Sequence, residues 1–409
     1  PSSRMKILIG LLLALQLGTA SALDAVLGKA LFERLWVSAP ASTDSADGLG
    51  PLYNARACAS CHPRAGRGRI TVNADGSVNE PALVMHLSGD SVYGQQIQTS
   101  AIPGQAAEAQ LELAYRPLEF VLADGTRVLL QQPEYRLREL AYGDLPATVA
   151  LLPRLAPALP GLGLIARIPA AEIVRLADPA DADGDGISGR VNWRPLPSGK
   201  ALGRFGWKAE SASLESQTAR ALLLDMGLSS PLLQQHAGDC SEHQIRCINA
   251  PDGASERTGG TEISNEMLRL LVRYLASLKA PAEATLTNTF QPGGQVFSQI
   301  GCDRCHRPTF TLEDRTIRPY SDFLLHDLGP ALADSVGTLG ATGAEWRTAP
   351  LWGIGQALRS GAGLLHDGRA ASLTEAILWH DGEARTARDG FAALDSRQRQ
   401  TLLDFLSQL

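Results

Sequence analysis

Cys58, Cys61 and His62 stand at C-x-x-C-H spacing in "ACASCHPRAG", and Cys302, Cys305 and His306 repeat it in "GCDRCHRPTF". That spacing is the attachment pattern of a c-type haem. Each thiol adds to a haem vinyl group, and the adjacent imidazole is placed under the iron as an axial ligand. A zinc site could also use two C-x-x-C pairs, but these lie far apart and each brings its own histidine. A thioredoxin-like redox pair needs no following histidine. Cysteine and histidine are scarce, 6 and 8 among 409 residues, so two chance matches are improbable. The pattern predicts two covalently bound haem c groups.

The elements around the two motifs repeat as well. The first copy opens with "LDAVLGKALFERLWV" and the second with "GGQVFSQIGCDRCH". Val296, Phe297 and Ile300 fit one helical face, and the first copy again has a G-x-x-x-F stretch, Gly28 to Phe32. Each copy closes on a helix. Ser264 caps "NEMLRLLVRYLASLKAP", with Leu268, Leu271, Val272, Leu275 and Leu278 on one face and Pro281 as the stop; Asp395 caps "SRQRQTLLDFLSQL". Between them, "GRFGWKAESASLESQ" aligns with "AGLLHDGRAASLTEA". Trp207 then falls on His366, Leu214 on Leu373, and Ala221 on His380.

That last pair separates the two irons. His380 can be the sixth ligand of the second haem, opposite His306, which closes that iron to substrate and leaves it to carry electrons. The alternative is a surface histidine beside "DGEA". Ala221 ligates nothing, so the first haem keeps an open face unless His86 caps it. His326 and His366 are further candidates near the second haem, and His236 and His243 read as structural.

The residues now carry a resemblance. "CHPRAGRG", "YGQQIQTSAIPGQAAE", "DADGDGISGRVNW", "GRFGWKA", "SDFLLHDLGPALAD", "EWRTAPLWGIG" and "HDGRAASLTEAILWH" span the chain from the first motif onward. It resembles the di-haem oxidoreductases, also called thiol oxidoreductases, which belong with the bacterial di-haem cytochrome c peroxidases. In the peroxidases the residue at the His380 position is the sixth ligand of the electron-transferring haem, usually methionine; histidine there implies a lower potential. They also carry a tryptophan followed by S-L-E-x-Q and an acid beside methionine. Trp207, Ser213, Leu214, Glu215 and Gln217 match in register, and Asp225 beside Met226 matches two positions early.

Peroxide chemistry needs such residues. One peroxide oxygen must lose a proton and the other gain it as the O–O bond breaks, and a distal carboxylate can shuttle that proton. Two electrons must then arrive. Asp225 is the expected acid/base and Trp207 the expected relay, with Glu108 and Glu119 as reserve acids. The bland readings are a helix-end carboxylate for Asp225 and a core aromatic for Trp207.

"DADGDGISGRVN" offers a calcium loop: Asp181, Asp183 and Asp185 at positions 1, 3 and 5, Gly186 at the turn and the Ile187 carbonyl at position 7. Asn192 replaces the usual glutamate at position 12, so one Ca²⁺ would bind weakly; an acidic turn is the alternative. A bound ion would fix the following "GRFGWKA" segment beside the first haem. Cys240 and Cys247 are expected to form a structural disulfide, with a redox-active pair as the alternative.

Met5 and Lys6, an apolar run and "TASA" read as a signal peptide over 1–22, which implies an exported, periplasmic-type location and no stable membrane span after cleavage. The net charge of −6 gives no electrostatic support for nucleic-acid binding. Partners are then a small redox protein as electron donor or acceptor, and hydrogen peroxide or another small oxidant. The expected fold is mainly α: a cytochrome c-like domain over 23–284 with long loops and some short inserted strands, and a second over 285–409.

Overall fold

Gly28 and Gly293 each sit where two helices cross. A Cβ on Gly28 would come within 2.1 Å of the Leu270 carbonyl oxygen, and one on Gly293 within 2.3 Å of the Phe405 Cβ. Four residues on, Phe32 packs against Tyr274 with ring centroids 5.3 Å apart, and Phe297 against Phe405 at 5.5 Å. The repeated G-x-x-x-F stretch is thus one packing device used twice: glycine lets two backbones approach, and the ring fills the space one turn along. The computed structural model describes residues 23–43, 46–78, 81–88, 92–281 and 290–409. The expected signal peptide lies outside them. No helix among the described residues is long and apolar enough to cross a membrane.

The opening helices cover residues 23–33 and Phe290–Gln299, and the closing helices Asn265–Ser277 and Ser396–Gln408. Ser264 Oγ accepts from the Met267 N–H at 3.2 Å and Asp395 Oδ1 from the Gln398 N–H at 2.8 Å, so both expected caps are made. The first closing helix ends at Ser277, ahead of Pro281. Between opening and closing helices, each copy makes the same turn. Phe205 bridges Ser211 in one, and Leu364 bridges Ala370 in the other. Each turn leads into a serine-capped helix, Leu214–Met226 from Ser213 and Leu373–Leu378 from Ser372.

The first copy also holds most of the strand structure. Leu83–Ser88 lies between Gln96–Ile97 and Ala150–Leu155 in an antiparallel sheet. Gln110–Val121 and Arg127–Arg138, 12 residues each, pair along their whole length as a hairpin. Its tip reaches the other half of the chain. Leu122 and Leu130 are buried in one cluster with Trp379, Phe391 and Leu402, the Ala123 N–H donates to the Ala392 carbonyl at 3.0 Å, and Asp124 pairs with Arg399.

The expectation of a mainly α protein is therefore corrected. Among the described residues helices hold 30% and strands 20%, spread over many small sheets, and two cytochrome c-like domains are not what the architecture displays. The reading weighted the helices around the haem motifs. In "LVMHLS" buried and half-buried residues alternate strictly, as in a strand with one face in the core, although three apolar residues in a row open it.

Candidate active site

Residues Cys58–Cys61 form one helical turn, closed by the His62 N–H donating to the Cys58 carbonyl at 3.0 Å. The second motif closes the same way, His306 N–H to Cys302 carbonyl at 2.9 Å. Both motifs thus hold two thiols and an imidazole on one tight turn. Each turn opens onto its own apolar cavity, of about 260 Å³ for the first and about 340 Å³ for the second. The four thiols are unpaired. Burial pushes Cys58 up to about 12, with the Asp225 carboxylate adding, and pushes Cys302 to about 12, with Asp303 and Cys305 adding. Cys61 and Cys305 are raised for the same first reason, burial. None is a thiolate at neutral pH, so these are not activated redox cysteines. An uncharged thioether, by contrast, suits walls of this kind.

Cavity 1 is lined by Cys58, Cys61 and His62, and also by His86, Ala221 and Asp225. Burial lowers the His62 pKa to about 4, against the pull of the Gly66 and Pro157 backbone, so the ring is neutral. Its Nδ1 makes no well-formed hydrogen bond. Asp225 comes from the last turn of Leu214–Met226, and its carbonyl accepts from the Asn54 and Ala55 N–H groups at 2.9 and 3.0 Å. Gln96 Nε2 donates to its carboxylate at 2.9 Å. Burial lifts its pKa to about 6, against that bond and the Arg220 charge. His86 faces the same cavity from the strand Leu83–Ser88; burial, then Arg154 and Arg220, lowers it to about 3. A neutral imidazole and a carboxyl that titrates near pH 6 therefore share the cavity that lacks a histidine at position 221.

Cavity 2 is lined by Cys302, Cys305, His306, His366 and His380. His306 Nδ1 is 2.9 Å from the Tyr320 carbonyl and His380 Nδ1 is 2.6 Å from the Ala376 carbonyl. A carbonyl only accepts, so each Nδ1 carries the proton and each Nε2 keeps its lone pair. Burial lowers His306 to about 4, with His380 and His326 contributing on the same side, and burial lowers His380 too. Two neutral imidazoles with free Nε2 atoms thus line one apolar space. The other two histidines here are otherwise committed. His326 is held between Asp322, at 2.8 Å, and Glu383, at 2.6 Å. Burial works against its charge, but those bonds and one to Cys305 outweigh it and hold its pKa well above the ordinary value. His366 stacks on Trp346 at 3.7 Å between ring centroids, and burial lowers it to about 3.

The cavities share a wall that includes Arg67, Trp207, Arg347 and Trp352. Trp207 Nε1 donates to the Leu155 carbonyl at 2.8 Å, and Arg67 lies 5.0 Å from the ring centroid. The wall is stitched reciprocally. Arg67 Nε donates to the Gly363 carbonyl at 2.6 Å, and its Nη2 to the Leu365 carbonyl. Arg347 Nε donates to the Gly206 carbonyl at 2.8 Å, which occupies the same place in the other turn as Leu365. Burial lowers both arginines to about 10, so both stay charged. These two arginines were not found from the sequence, because nothing in "RAGRG" or "EWRT" says that each reaches the other copy.

The remaining candidates fall elsewhere. Glu119 sits on the hairpin, paired with Arg127. Glu108 is buried but lines neither cavity; it accepts from the Gln98 N–H at 2.7 Å and Gln244 Nε2 at 2.6 Å, and burial lifts it to about 8. Asp181 and Asp183 gather with Asp178, which the loop spacing did not include. Asp185 turns instead to Arg304, with Oδ2 3.3 Å from Nη1, and its Oδ1 accepts from the Ile187 N–H at 2.9 Å. Asp185 and Ile187 line cavity 2, so the loop adjoins the second motif and not the first. Cys240 and Cys247 are joined as a disulfide.

Residues 13–80 and 83–409 match the family described as "Di-haem oxidoreductase, putative peroxidase". The chain belongs to the di-haem oxidoreductase family. Membership implies haem cofactors, and it accords with two cavities that each carry a C-x-x-C-H turn. None of the curated proteins matches the chain. Among solved structures, a chain of the Kuenenia stuttgartiensis hydrazine synthase, studied under 20 bar xenon, aligns at 20% identity with a TM-score of 0.27. The alignment covers 42% of this di-haem oxidoreductase and 63% of that chain, and a likeness so slight bears no argument.

Proposed function

We propose that this di-haem oxidoreductase is an exported peroxidase-type enzyme with one reactive haem and one electron-storing haem, both covalently attached. Cys58 and Cys61 hold the first haem with His62 on its iron; Cys302 and Cys305 hold the second with His306. The fit rests on the chain's own groups: four unpaired thiols, one buried and three half-buried, two neutral motif histidines, and two apolar cavities. Arg67 and Arg347 supply buried cations at the shared wall, suited to haem propionates. When bound, the haems supply an iron that can take up peroxide and one that can deliver electrons.

One observation carries the division of labour. Position 221 and position 380 are equivalent, and each lines its own cavity, but one is alanine and the other histidine with an unclaimed Nε2. His380 closes cavity 2 to substrate. Ala221 leaves room in cavity 1, where Asp225 accepts a proton from one peroxide oxygen and returns it to the other. Gln96 fixes the orientation of that carboxyl. Trp207, in the wall common to both cavities, carries electrons between them, drawn from a small redox protein at the surface.

Replacing Trp207 by Phe is expected to slow inter-haem transfer while sparing peroxide binding. Stopped-flow mixing of reduced protein with peroxide checks this: the two haems should oxidise together in wild type and one after the other in the variant. The second reading is a di-haem electron carrier, favoured by His86 in cavity 1, which could ligate the open face. A ferric spectrum without high-spin bands, together with reduced protein that consumes peroxide no faster than free haem, would establish that reading instead.

We also propose one Ca²⁺ on this loop, held by Asp181 and Asp183, with Asp185 and the Ile187 carbonyl joining once Asp185 leaves Arg304. A double Asp183→Ala/Asp185→Ala variant is expected to lose the ion and some stability. Equal calcium content in variant and wild type would reduce the loop to an acidic turn.

A further inference from the structure

Glu262 holds a buried carboxylate oxygen that no hydrogen bond satisfies. Its side chain is 0% exposed. Oε2 accepts from the Ser229 N–H at 2.9 Å and from the Ser229 hydroxyl, but Oε1 has no hydrogen-bond partner. Its position is fixed from behind, since a Cβ on Gly48 would come within 2.6 Å of its Cγ. A buried carboxylate with a bare oxygen is costly, so a partner for it is expected.

Two further metal-ligating groups gather at that carboxylate. His236 Nδ1 lies 3.7 Å from Oε1, outside hydrogen-bond reach, and is 3.4 Å from Ser229 Oγ. The exposed Asp252 completes the group, and one ligand atom from each of His236, Asp252 and Glu262 lies within 4.8 Å of the other two. Zinc bound at about 2.0–2.2 Å by nitrogen and carboxylate ligands places such atoms roughly 3.4 Å apart in a tetrahedron. His236 and Asp252 reach the surface, while Glu262 is the buried corner. No cation other than His236 pairs with Glu262 among the described residues.

We propose that His236, Asp252 and Glu262 bind a divalent transition-metal ion, Zn²⁺ by its donor set, with water in the fourth position. One imidazole and two carboxylates suit zinc better than calcium or magnesium, which favour oxygen ligands alone. None of the three residues lines either cavity, so the site stands apart from the haem chemistry and does not rest on it. Its place in the chain defines its role. Ser229 follows the helix that carries Asp225, and its carbonyl accepts from the Ile263 N–H at 3.0 Å, just ahead of the Ser264 cap. The stretch between them has little regular structure, a four-residue helix, Ile245–Ile248, and a short 3₁₀ turn, with the Cys240–Cys247 disulfide as its covalent tie. The ion is a second cross-link across that irregular segment.

The test uses the full holoprotein without an affinity tag, stripped with a chelator and titrated with Zn²⁺ by calorimetry and differential scanning calorimetry. Wild type is expected to bind one Zn²⁺ per chain and to gain several degrees in Tm, as binding to the native state alone requires. Mg²⁺ should leave Tm unmoved, and any Tm gain with Ca²⁺, which the 181–187 loop would take, should be the same in His236→Gln as in wild type. His236→Gln and Asp252→Asn should each weaken Zn²⁺ at least tenfold while haem absorbance and peroxide turnover stay within about twofold of wild type. Glu262→Gln should abolish binding and also stabilise the stripped protein, because it removes the bare charge. No saturable zinc in wild type, unchanged affinity in the His236 and Asp252 variants, or a Ca²⁺ Tm gain that disappears in His236→Gln would each overturn the assignment. In the first case the contact is only a histidine beside a carboxylate, and His236→Gln would then lower Tm with no zinc present.

Discussion

Asp225→Asn is expected to lower peroxide turnover by about 10²–10⁴-fold, the usual contribution of a positioned acid/base. Both haem spectra should survive, because Asn keeps the size of the side chain and can still meet Gln96. The carboxyl lines cavity 1, close enough to raise the pKa of both Cys58 and Cys61. With a pKa of about 6 it starts ionised at pH 7, as a proton acceptor must, yet holds a proton well enough to pass it on. Wild-type turnover should therefore fall as pH drops through 6, and the residual rate of the variant should not follow that profile. Stability moves the other way. A carboxyl whose folded pKa is raised favours the native state below its unfolded value near 3.8, and that contribution is lost as pH rises through about 6. The variant should match or exceed wild-type stability at pH 8, by at most on the order of 3 kcal/mol, with the gap closing toward pH 4. A variant that loses both activity and Tm at pH 8 would mark Asp225 as a structural carboxylate.

How far the sequence carried the argument depends on what each signal encodes. The C-x-x-C-H turns, the Ser264 and Asp395 caps and the paired 205–211 and 364–370 turns are local, so a window of ten residues contains them. The Ala221/His380 contrast needed only an internal alignment. Asp225 was reached by a shifted motif match; what makes its chemistry plausible, burial beside Gln96 and the thiols, is tertiary. The Arg67 and Arg347 stitches, the neutral pair of His306 and His380, and the isolated Glu262 oxygen are all contacts over long sequence separations. The strands around 83–155 had a local signal, the alternation in "LVMHLS". That signal is short and begins with three apolar residues, and the hairpin's hold on the C-terminal core, through Leu122 and Leu130, had no local signal at all.

His380→Ala is the change expected to alter the second haem most. In wild type, His306 and His380 each tie Nδ1 to a backbone carbonyl and present Nε2 to cavity 2. With both nitrogens on one iron, no position is left for an exogenous ligand. Reduced wild-type protein should therefore bind one equivalent of carbon monoxide per chain, at cavity 1, and the variant two. Haem attachment should persist, because on the proposed scheme Cys302 and Cys305 would hold the group whatever stands at position 380. His380→Met should keep the site closed and raise its potential, as a methionine ligand does relative to histidine. The reciprocal change, Ala221→His, places an imidazole where cavity 1 has none and should cut both carbon monoxide uptake and peroxide turnover toward zero. Carbon monoxide titration of the four proteins separates the schemes. Two equivalents in wild type would mean that His380 is not a ligand. None would mean that His86 already closes cavity 1, and the electron-carrier reading would then hold. One equivalent in wild type, two in His380→Ala and none in Ala221→His is the pattern that only two specialised haems produce, since it requires each equivalent position to govern its own iron.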